Sequence, residues 1–478
     1  MTDLCFYDTE ATDADRRHGQ ITQFGGIRTD LNFRKLADLN IRVRPLPWIV
    51  PTPEALEVTG MDLWQLFDED AISEFDAAGQ IDRFLNPGWT GERIFVTYFG
   101  IDFDDELIRA TLFRNLRHPY PTSGKKSARV DMLNVVRMAH HFQPGTLETV
   151  FDEERGKLTW RLEKICPANG IALRAHDAYA DAEGLMDLTR LVRERAPWAW
   201  DLAVANGNPG RVDQMLKDAG EGDAPLFLFT HFGEPDVVPC FPLATDDKRK
   251  HVLVDLRADS YPTDVETALG VFNKAGTPYP LIKSNLSPMF VPPDVASRIH
   301  AFDFPELSEK IRRIKSDPAI RSVADELVSR RDFKAKENPT SEERLYDGFV
   351  KNEDKEPIRR FLDTWSWNER AAMRFSDDRI DDFAARICLD APNSGIGVAY
   401  PQHVWESLEQ RAAEAISRPF AGPDARWATI ASVLETASDE WREWATGYYG
   451  LDCDWGGDAE LQDEPEQELR EAQFALPF

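Results

Sequence analysis

The sequence predicts an α/β (mixed) fold class in three successive parts: mixed α/β, then β-rich, then all-helical. In the first 198 residues, short apolar runs that favour strands alternate with segments of helical periodicity. Strand-like runs follow at 225–232 and 251–256. Helical spacing begins at about residue 304 and continues throughout from residue 342. With 478 residues the chain is also too long for one hydrophobic core, so several domains are expected.

Changes in composition mark where these parts meet. Residues 197–222 are rich in Asn, Gly and Asp, and residues 332–341 are polar and charged, which is typical of linkers. We therefore expect domains at 1–198, 199–340 and 341–450. Residues 451–478 are acidic and contain Gly and Pro, so we expect them to form a disordered tail.

The net charge bears on which partners the surface can bind. The chain carries 56 basic and 84 acidic residues, a net charge of −28, which argues against nucleic-acid binding by the surface as a whole. One local basic groove would nevertheless be enough for a nuclease. No apolar run reaches the length of a membrane span, and the five cysteines are scattered without a C-x-x-C pair. We therefore expect a cytoplasmic protein without a secretory signal and without membrane association.

The first part opens with three predicted strands. Residues 4–7 form an apolar run that is typical of a strand buried on both faces. Two further strands are predicted at 21–30, where Gly25 and Gly26 indicate a close approach, and at 37–45, so we expect an antiparallel meander. The next predicted elements are a helix at 72–85 and a buried strand at 93–98.

Two acids, Asp8 and Glu10, follow the first apolar run directly. Because side chains alternate along a strand, both carboxylates are expected on the same side. Like charges at this distance repel each other, and a divalent cation relieves the repulsion. Carboxylate oxygens suit Mg²⁺ or Mn²⁺. The alternative is an ordinary strand end with two solvated acids.

Three further residues could join the same site. Asp104 follows a second buried strand and opens a helix, although acids are common in the first turn of any helix. The stretch from His176 to Asp181 opens a long predicted helix, and five positions separate these two residues. This spacing allows both side chains to reach a neighbouring site, whereas a lone histidine near a helix start is more often a surface or packing residue.

These five residues, in the order D-x-E, Asp and H-x4-D, resemble the active-site pattern of the DEDDh superfamily of 3′→5′ exonucleases. Within it the chain resembles the bacterial exodeoxyribonuclease I family. The strings that carry this closer resemblance are Gln23-Phe24 with Ile27-Arg28-Thr29-Asp30, Phe103-Asp104-Asp105-Glu106, Arg114-Asn115 with Pro119-Tyr120, Arg161-Leu162-Glu163, Ala168-Asn169-Gly170-Ile171 and His176-Asp177-Ala178. The resemblance extends to about residue 445 and is strongest over the first 195 residues.

The resemblance implies a fold of three domains: a ribonuclease-H-like exonuclease domain, an SH3-like β domain and a C-terminal α-helical domain. Together they would form a path for one DNA strand. The implied reaction is metal-dependent hydrolysis of single-stranded DNA from its 3′ end, releasing 5′-mononucleotides, in DNA repair and recombination. We expect a monomer. The alternatives are a DEDDh exonuclease that acts on RNA or in proofreading, and a non-catalytic scaffold that binds single strands.

The same resemblance assigns a role to each site residue. Asp8, Glu10 and Asp181 would hold two Mg²⁺ ions, for which Mn²⁺ can substitute, with Asp104 completing the site and His176 acting as general base. Glu10 would also face the substrate. Arg161 would contact the substrate near the scissile end, and single-stranded DNA would be touched by Arg109, Tyr120 and Arg137. The alternatives for these last three are solvated helix arginines and a packing tyrosine.

The sequence departs from this family in several places. Ala11 follows Glu10, where relatives often have a residue able to contact the 3′ nucleotide. The β domain is shorter, and the chain is more acidic. The acidic tail ends in Phe474-Ala475-Leu476-Pro477-Phe478, which resembles the C-terminal tip of single-stranded-DNA-binding protein that relatives bind. We expect either that this tail occupies the chain's own tip-binding pocket or that of a partner, or that it only improves solubility.

Overall fold

Strand β1 lies at the centre of a five-stranded sheet with the order β3-β2-β1-β4-β5. The computed structural model describes residues 2–68, 70–86, 88, 91–174, 176–230, 235–271, 276–330, 336–394 and 397–451. The strands of this sheet are β1 Thr2–Ala11, β2 Ile21–Asp30, β3 Lys35–Arg42, β4 Glu92–Thr97 and β5 Ser127–Asp131. Strands β1, β2 and β3 are antiparallel, which confirms the predicted meander, whereas β4 and β5 run parallel to β1.

Helices cover both faces of this sheet. Leu4 and Phe6 point into one hydrophobic core, and Cys5 and Tyr7 point into another. The run is therefore apolar at every position because both sides of β1 are buried. The helices of this part are α1 Pro53–Thr59, α2 Glu74–Leu85, α3 Asp104–Arg114, α4 Met132–Phe142, α5 Leu162–Ala168 and α6 Ala178–Arg195, with a hairpin of β6 Val150–Asp152 and β7 Lys157–Thr159 before α5.

The second part contains an antiparallel five-stranded sheet with the order β11-β10-β9-β8-β12. Its strands are β8 Leu226–Thr230, β9 Asp236–Thr245, β10 Lys250–Asp255, β11 Leu281–Lys283 and β12 Phe290–Val291. Its helices are α7 Pro197–Asn206, α8 Pro209–Glu221, α9 Val265–Val271, α10 Pro293–Ala296, α11 Phe304–Ser316 and α12 Pro318–Ser329.

The expected linker at 197–222 is helical instead. Pro197 and Pro209 each occupy the first turn of a helix, and the Asn208 side chain caps α8 by accepting from the backbone N–H of Arg211. Proline and asparagine favour helix starts as well as loops, so composition alone could not separate the two.

All regular elements described in the third part are helices, as predicted. Its helices are α13 Lys355–Asp363, α14 Trp367–Ala372, α15 Asp378–Asp390, α16 Gln402–Ser417, α17 Ile430–Val433 and α18 Asp439–Tyr449. Glu342 is buried at its start and forms ion pairs with Arg386 and Arg418. Residues 452–478, which comprise all but the first residue of the predicted tail, lie outside the described residues. Among the described helices, none combines the length and apolar character needed to cross a bilayer.

Candidate active site

The end of β1 and the start of α6 bring three carboxylates together. Oxygen atoms of Asp8, Glu10 and Asp181 all lie within 4.8 Å of one another. The prediction that Asp8 and Glu10 point to the same side is therefore confirmed, because both face Asp181. The structure joins acids that are more than 170 residues apart in sequence into one cluster.

Gly25 allows α6 to approach the sheet closely enough to deliver Asp181. It pairs with Asp8 in the register of β1 and β2. A Cβ atom at residue 25 would overlap the backbone of Ala178 and Tyr179, in the first turn of α6. The close approach that was predicted at the two glycines is thus confirmed: Gly25 lies against α6, whereas Gly26 lies against the Phe84 ring of α2.

Asp104 lies near these three carboxylates. It is the first residue of α3 and is buried, with 5% of its surface exposed. The hydroxyl of Thr9 donates a hydrogen bond to its carboxylate, with 2.5 Å between Oγ1 and Oδ1. Asp104 is close enough to raise the pKa of both Asp8 and Glu10.

Neighbouring Asp105 and Glu106 have other roles. The Asp105 carboxylate accepts from the Tyr7 hydroxyl and pairs with Arg129, so it is satisfied within the core. Glu106 accepts a hydrogen bond from the hydroxyl of Tyr346, which belongs to the third part. Neither carboxylate is therefore available to the cluster.

Burial and mutual repulsion raise the pKa values of the acids at this site. Burial, together with the charges of the neighbouring acids, holds the pKa of Asp8 well above its ordinary value and raises that of Glu10 to about 8. Burial raises the pKa of Asp104 and of Asp181 to about 7 each, although the Thr9 hydroxyl and the His176 backbone N–H oppose the respective shifts. A bound cation would reverse these shifts by stabilising the ionised carboxylates.

The donor set fits a hard divalent cation. All of the converging ligand atoms are carboxylate oxygens, which suit Mg²⁺ and Mn²⁺ better than softer metals. The charges that raise the pKa values of Asp8 and Glu10 belong to neighbouring carboxylates, and a bound cation would offset them.

His176 lies beside this cluster in an unusual backbone conformation. Its φ is +65°, in the left-handed region, and its side chain is exposed. Its backbone N–H donates to Oδ2 of Asp181 at 3.3 Å. The structure therefore connects His176 to Asp181 through the main chain and leaves the imidazole facing solvent.

Arg161 is connected to the cluster indirectly, by way of Glu163. Its guanidinium lies 3.6 Å from the Glu163 carboxylate, and its side chain is more than half exposed. Glu163 in turn is close enough to raise the pKa of Asp181. Arg161 thus brings an accessible positive charge to the edge of an otherwise acidic site.

The three residues expected along the DNA path differ in accessibility. Arg109 is buried and pairs with Glu106, while its guanidinium lies 5.6 Å from the Tyr120 ring centroid. The Tyr120 ring also lies 6.1 Å from that of Phe349, which is 80% exposed. Arg137 lies over the Trp160 ring at 5.7 Å. Their contact with DNA stays a prediction.

Thr9 and Glu163 are site residues that the sequence pattern did not single out. Thr9 lies between the two predicted acids, but its partner becomes adjacent only when α3 packs against β1. Glu163 follows Arg161 by two residues in a string that was recognised only for its resemblance. A hydroxyl flanked by two site acids is the one signal that could have drawn attention to Thr9.

No protein-family model matches the chain. Among curated proteins, exodeoxyribonuclease I from Haemophilus influenzae is 28% identical over 411 residues, which cover 78% of this chain and 83% of that protein. Among solved structures, exonuclease I from Methylocaldum szegediense matches with a TM-score of 0.76 and 22% identity over 99% of both chains. Escherichia coli exonuclease I in complex with a dA16 oligonucleotide matches with a TM-score of 0.74 and 21% identity, covering 99% of this chain and 98% of that chain.

Proposed function

The chain is related over most of its length to bacterial exodeoxyribonuclease I, and from this relationship we propose that it is a metal-dependent 3′→5′ exonuclease. It hydrolyses phosphodiester bonds of single-stranded DNA and releases 5′-mononucleotides. The observation that carries the proposal is the convergence of Asp8, Glu10 and Asp181 within 4.8 Å, with Asp104 beside them. A related fold without this cluster would support only strand binding.

The acids of the cluster are the proposed metal ligands. Asp8, Glu10 and Asp181 would hold two divalent ions, Mg²⁺ or Mn²⁺, and Asp104 would complete the site. When bound, such ions lower the pKa of the attacking water and offset charge on the leaving oxygen. Thr9 fixes the orientation of Asp104 through its hydroxyl.

His176 is the proposed general base. Its imidazole is exposed to solvent beside Asp181, so it can reach a water molecule and accept the proton that the water loses on attack. An imidazole is well suited to this step near neutral pH. The hydrogen bond from its backbone N–H to Asp181 sets the position of the loop that carries it.

Arg161 is proposed to pair with the phosphate next to the scissile bond. A guanidinium donates two parallel hydrogen bonds to phosphate oxygens, and this one is accessible at the edge of the site. Along the strand further from the scissile bond, we propose contacts with Tyr120, Arg109 and Arg137.

We propose the domain organisation expected from the resemblance, with the ribonuclease-H-like exonuclease domain at 1–198 carrying the site. The antiparallel sheet of β8 to β12 would belong to the SH3-like domain at 199–340, and the helices from α13 onward to the C-terminal domain at 341–450.

The proposed partners and cellular setting follow from the same relationship. The protein would act as a cytoplasmic monomer in DNA repair and recombination. It would bind the acidic tip of single-stranded-DNA-binding protein, and its own Pro-Phe tail would compete for that pocket. Deleting residues 474–478 should then increase the affinity for a tip peptide, and unchanged affinity would rule out the competition.

The choice of nucleic acid is tested by offering the wild-type protein single-stranded DNA, duplex DNA and single-stranded RNA, each with Mg²⁺ and with EDTA. Metal-dependent degradation of single-stranded DNA in preference to the other two is the expected result. Preferential degradation of RNA would support the proposed active site but contradict the proposed DNA substrate. Binding of single strands without any degradation would make the protein a scaffold.

A further inference from the structure

Phe99 is an exposed aromatic residue in a strained backbone conformation, in the loop that follows β4. Its φ is +62°, and 57% of its surface is exposed. A positive φ is a genuine outlier for a bulky side chain. Strain of this kind persists where surrounding contacts enforce it, and it concentrates at functional sites.

Two other large apolar residues of the described chain also have a positive φ, and both are stabilised by packing. Phe33 stacks on Phe6 with 6.2 Å between ring centroids and lies beneath Arg190. Leu116 is only 4% exposed within a hydrophobic core. Phe99 has no comparable burial, since 57% of its surface is exposed.

The backbone around Phe99 is held in place on both sides. Its own N–H donates to Oδ1 of Asp131 at 2.8 Å, and Asp131 is buried at the end of β5. The hydroxyl of the preceding Tyr98 donates to the carbonyl of Trp160, which directly precedes Arg161. The following Gly100 packs so tightly that a Cβ atom there would overlap the Asp104 carboxylate.

The residues that flank Phe99 in sequence contact two components of the proposed site. Gly100 lies against Asp104, and Tyr98 is bonded to the segment that carries Arg161. Strand β4 also runs parallel to β1, so the loop that follows it lies at the same edge of the sheet as Asp8 and Glu10. The backbone that carries the exposed ring is therefore held near Asp104 and near the segment that carries Arg161.

We propose that Phe99 binds substrate by stacking on a base of the 3′-terminal dinucleotide of a single strand. This inference rests on the proposed function and adds a base contact to it. Every base presents a π face, so an aromatic ring can hold the strand without selecting its sequence. For the next-to-last base an unpaired strand is required, because in a duplex that base has both faces covered.

The test pairs enzyme variants with substrates that lack one base. Single-stranded oligonucleotides carry either a normal base or an abasic residue at the last or next-to-last position. Phe99→Ala is expected to lower kcat/KM on the normal substrate about fivefold to about hundredfold. For the wild type, kcat/KM should be lower on the abasic substrate than on the normal one. For Phe99→Ala, the two substrates should give the same kcat/KM.

Three variants separate stacking from stability. Phe99→Trp should retain activity. Phe99→Gly should lose as much activity as Phe99→Ala, but its Tm should not fall, because glycine adopts a positive φ freely. Trp64→Ala removes an aromatic residue of nearly equal exposure, 56%, in the Leu63–Phe67 turn and should leave kcat/KM unchanged. Equal abasic penalties in wild type and Phe99→Ala at both positions would overturn the proposal.

Binding in EDTA distinguishes this proposal from the proposed function. Fluorescence anisotropy measures the affinity for the normal and abasic strands without cleavage. If the wild type degrades nothing even in Mg²⁺, but in EDTA it binds normal strands more tightly than abasic ones and Phe99→Ala abolishes that difference, the exonuclease assignment fails and the stacking contact stands. If both proteins bind both strands equally, the stacking contact fails whether or not cleavage occurs.

Discussion

The hydroxyl of Thr9 donates a hydrogen bond to the carboxylate of Asp104, with 2.5 Å between Oγ1 and Oδ1. Thr9 is buried on β1, and Asp104 begins α3, so this bond connects the two elements beside the acidic cluster. The bond also opposes the rise in the pKa of Asp104 that burial causes. Thr9 therefore helps to keep Asp104 ionised where a cation would bind.

Replacing Thr9 with valine removes the hydroxyl and keeps the shape. The pKa of Asp104 should rise further, so the acidic limb of the pH–rate profile should move to higher pH. Because a hydrogen bond to a charged group contributes about 1.5–3 kcal/mol, activity near neutral pH should fall about tenfold or more. Thr9→Ser, which keeps the donor, should restore the wild-type profile. Identical profiles for Thr9→Val and wild type would contradict this role.

The raised pKa values predict that the metal-free protein loses stability as pH rises. Glu10 has its pKa raised from 4.5 to about 8, and Asp181 from 3.8 to about 7. Between these limits the folded state binds more protons than the unfolded state, so the free energy of unfolding falls with increasing pH. Mg²⁺ should restore stability at the alkaline end, because it binds the ionised carboxylates of the folded site.

The measurement is Tm as a function of pH in EDTA and in Mg²⁺. Asp131 and Asp390 also have raised pKa values and act in the same direction, so a variant must isolate the cluster. Asp181→Asn should flatten the EDTA curve and reduce the effect of Mg²⁺. An unchanged slope in this variant would show that the cluster does not set the pH dependence.

Gly25→Ala tests how α6 delivers Asp181. The added Cβ would overlap the backbone of Ala178 and Tyr179, so the start of α6 must move away from β2. We expect weaker Mg²⁺ binding and a large loss of activity, measured by calorimetry and by the degradation assay. Gly447→Ala, where a Cβ meets no atom within 4 Å, is the matched control. Unaltered metal affinity in Gly25→Ala would contradict the proposed packing role.

His176→Gln should lower the rate of degradation by about 10²- to 10⁴-fold, as expected for loss of a general base, without weakening metal binding. His176→Gly should lose as much activity as His176→Gln. Its Tm should not be lower than that of the wild type, because the φ of +65° suits glycine. Added imidazole should partly restore His176→Gly. Full activity in both variants would remove His176 from the mechanism.

The sequence predicted the parts of the site that local patterns encode. Asp8 and Glu10 could be placed on one side because strand alternation is local, and the spacing of His176 and Asp181 matched a loop followed by a helix. The environment of Arg109 depends on long-range packing instead: its partner Glu106 also binds Tyr346, 240 residues away. The prediction of a linker at 197–222 was wrong, because the residue types that are common in linkers also favour the starts of helices.

On the proposed function, the acidic cluster cleaves single-stranded DNA from the 3′ end. The most direct test follows oligonucleotides labelled at either end, in Mg²⁺, with wild type, Asp181→Asn and Asp187→Asn. Asp187 is on the same helix but is 42% exposed and pairs with Arg190, so it is the matched control. With wild type and Asp187→Asn, we predict that the 3′ label is released at once as a mononucleotide and that the 5′-labelled strand shortens gradually. With Asp181→Asn, we predict neither change. Release of the 5′ label first, or full activity of Asp181→Asn, would contradict the account.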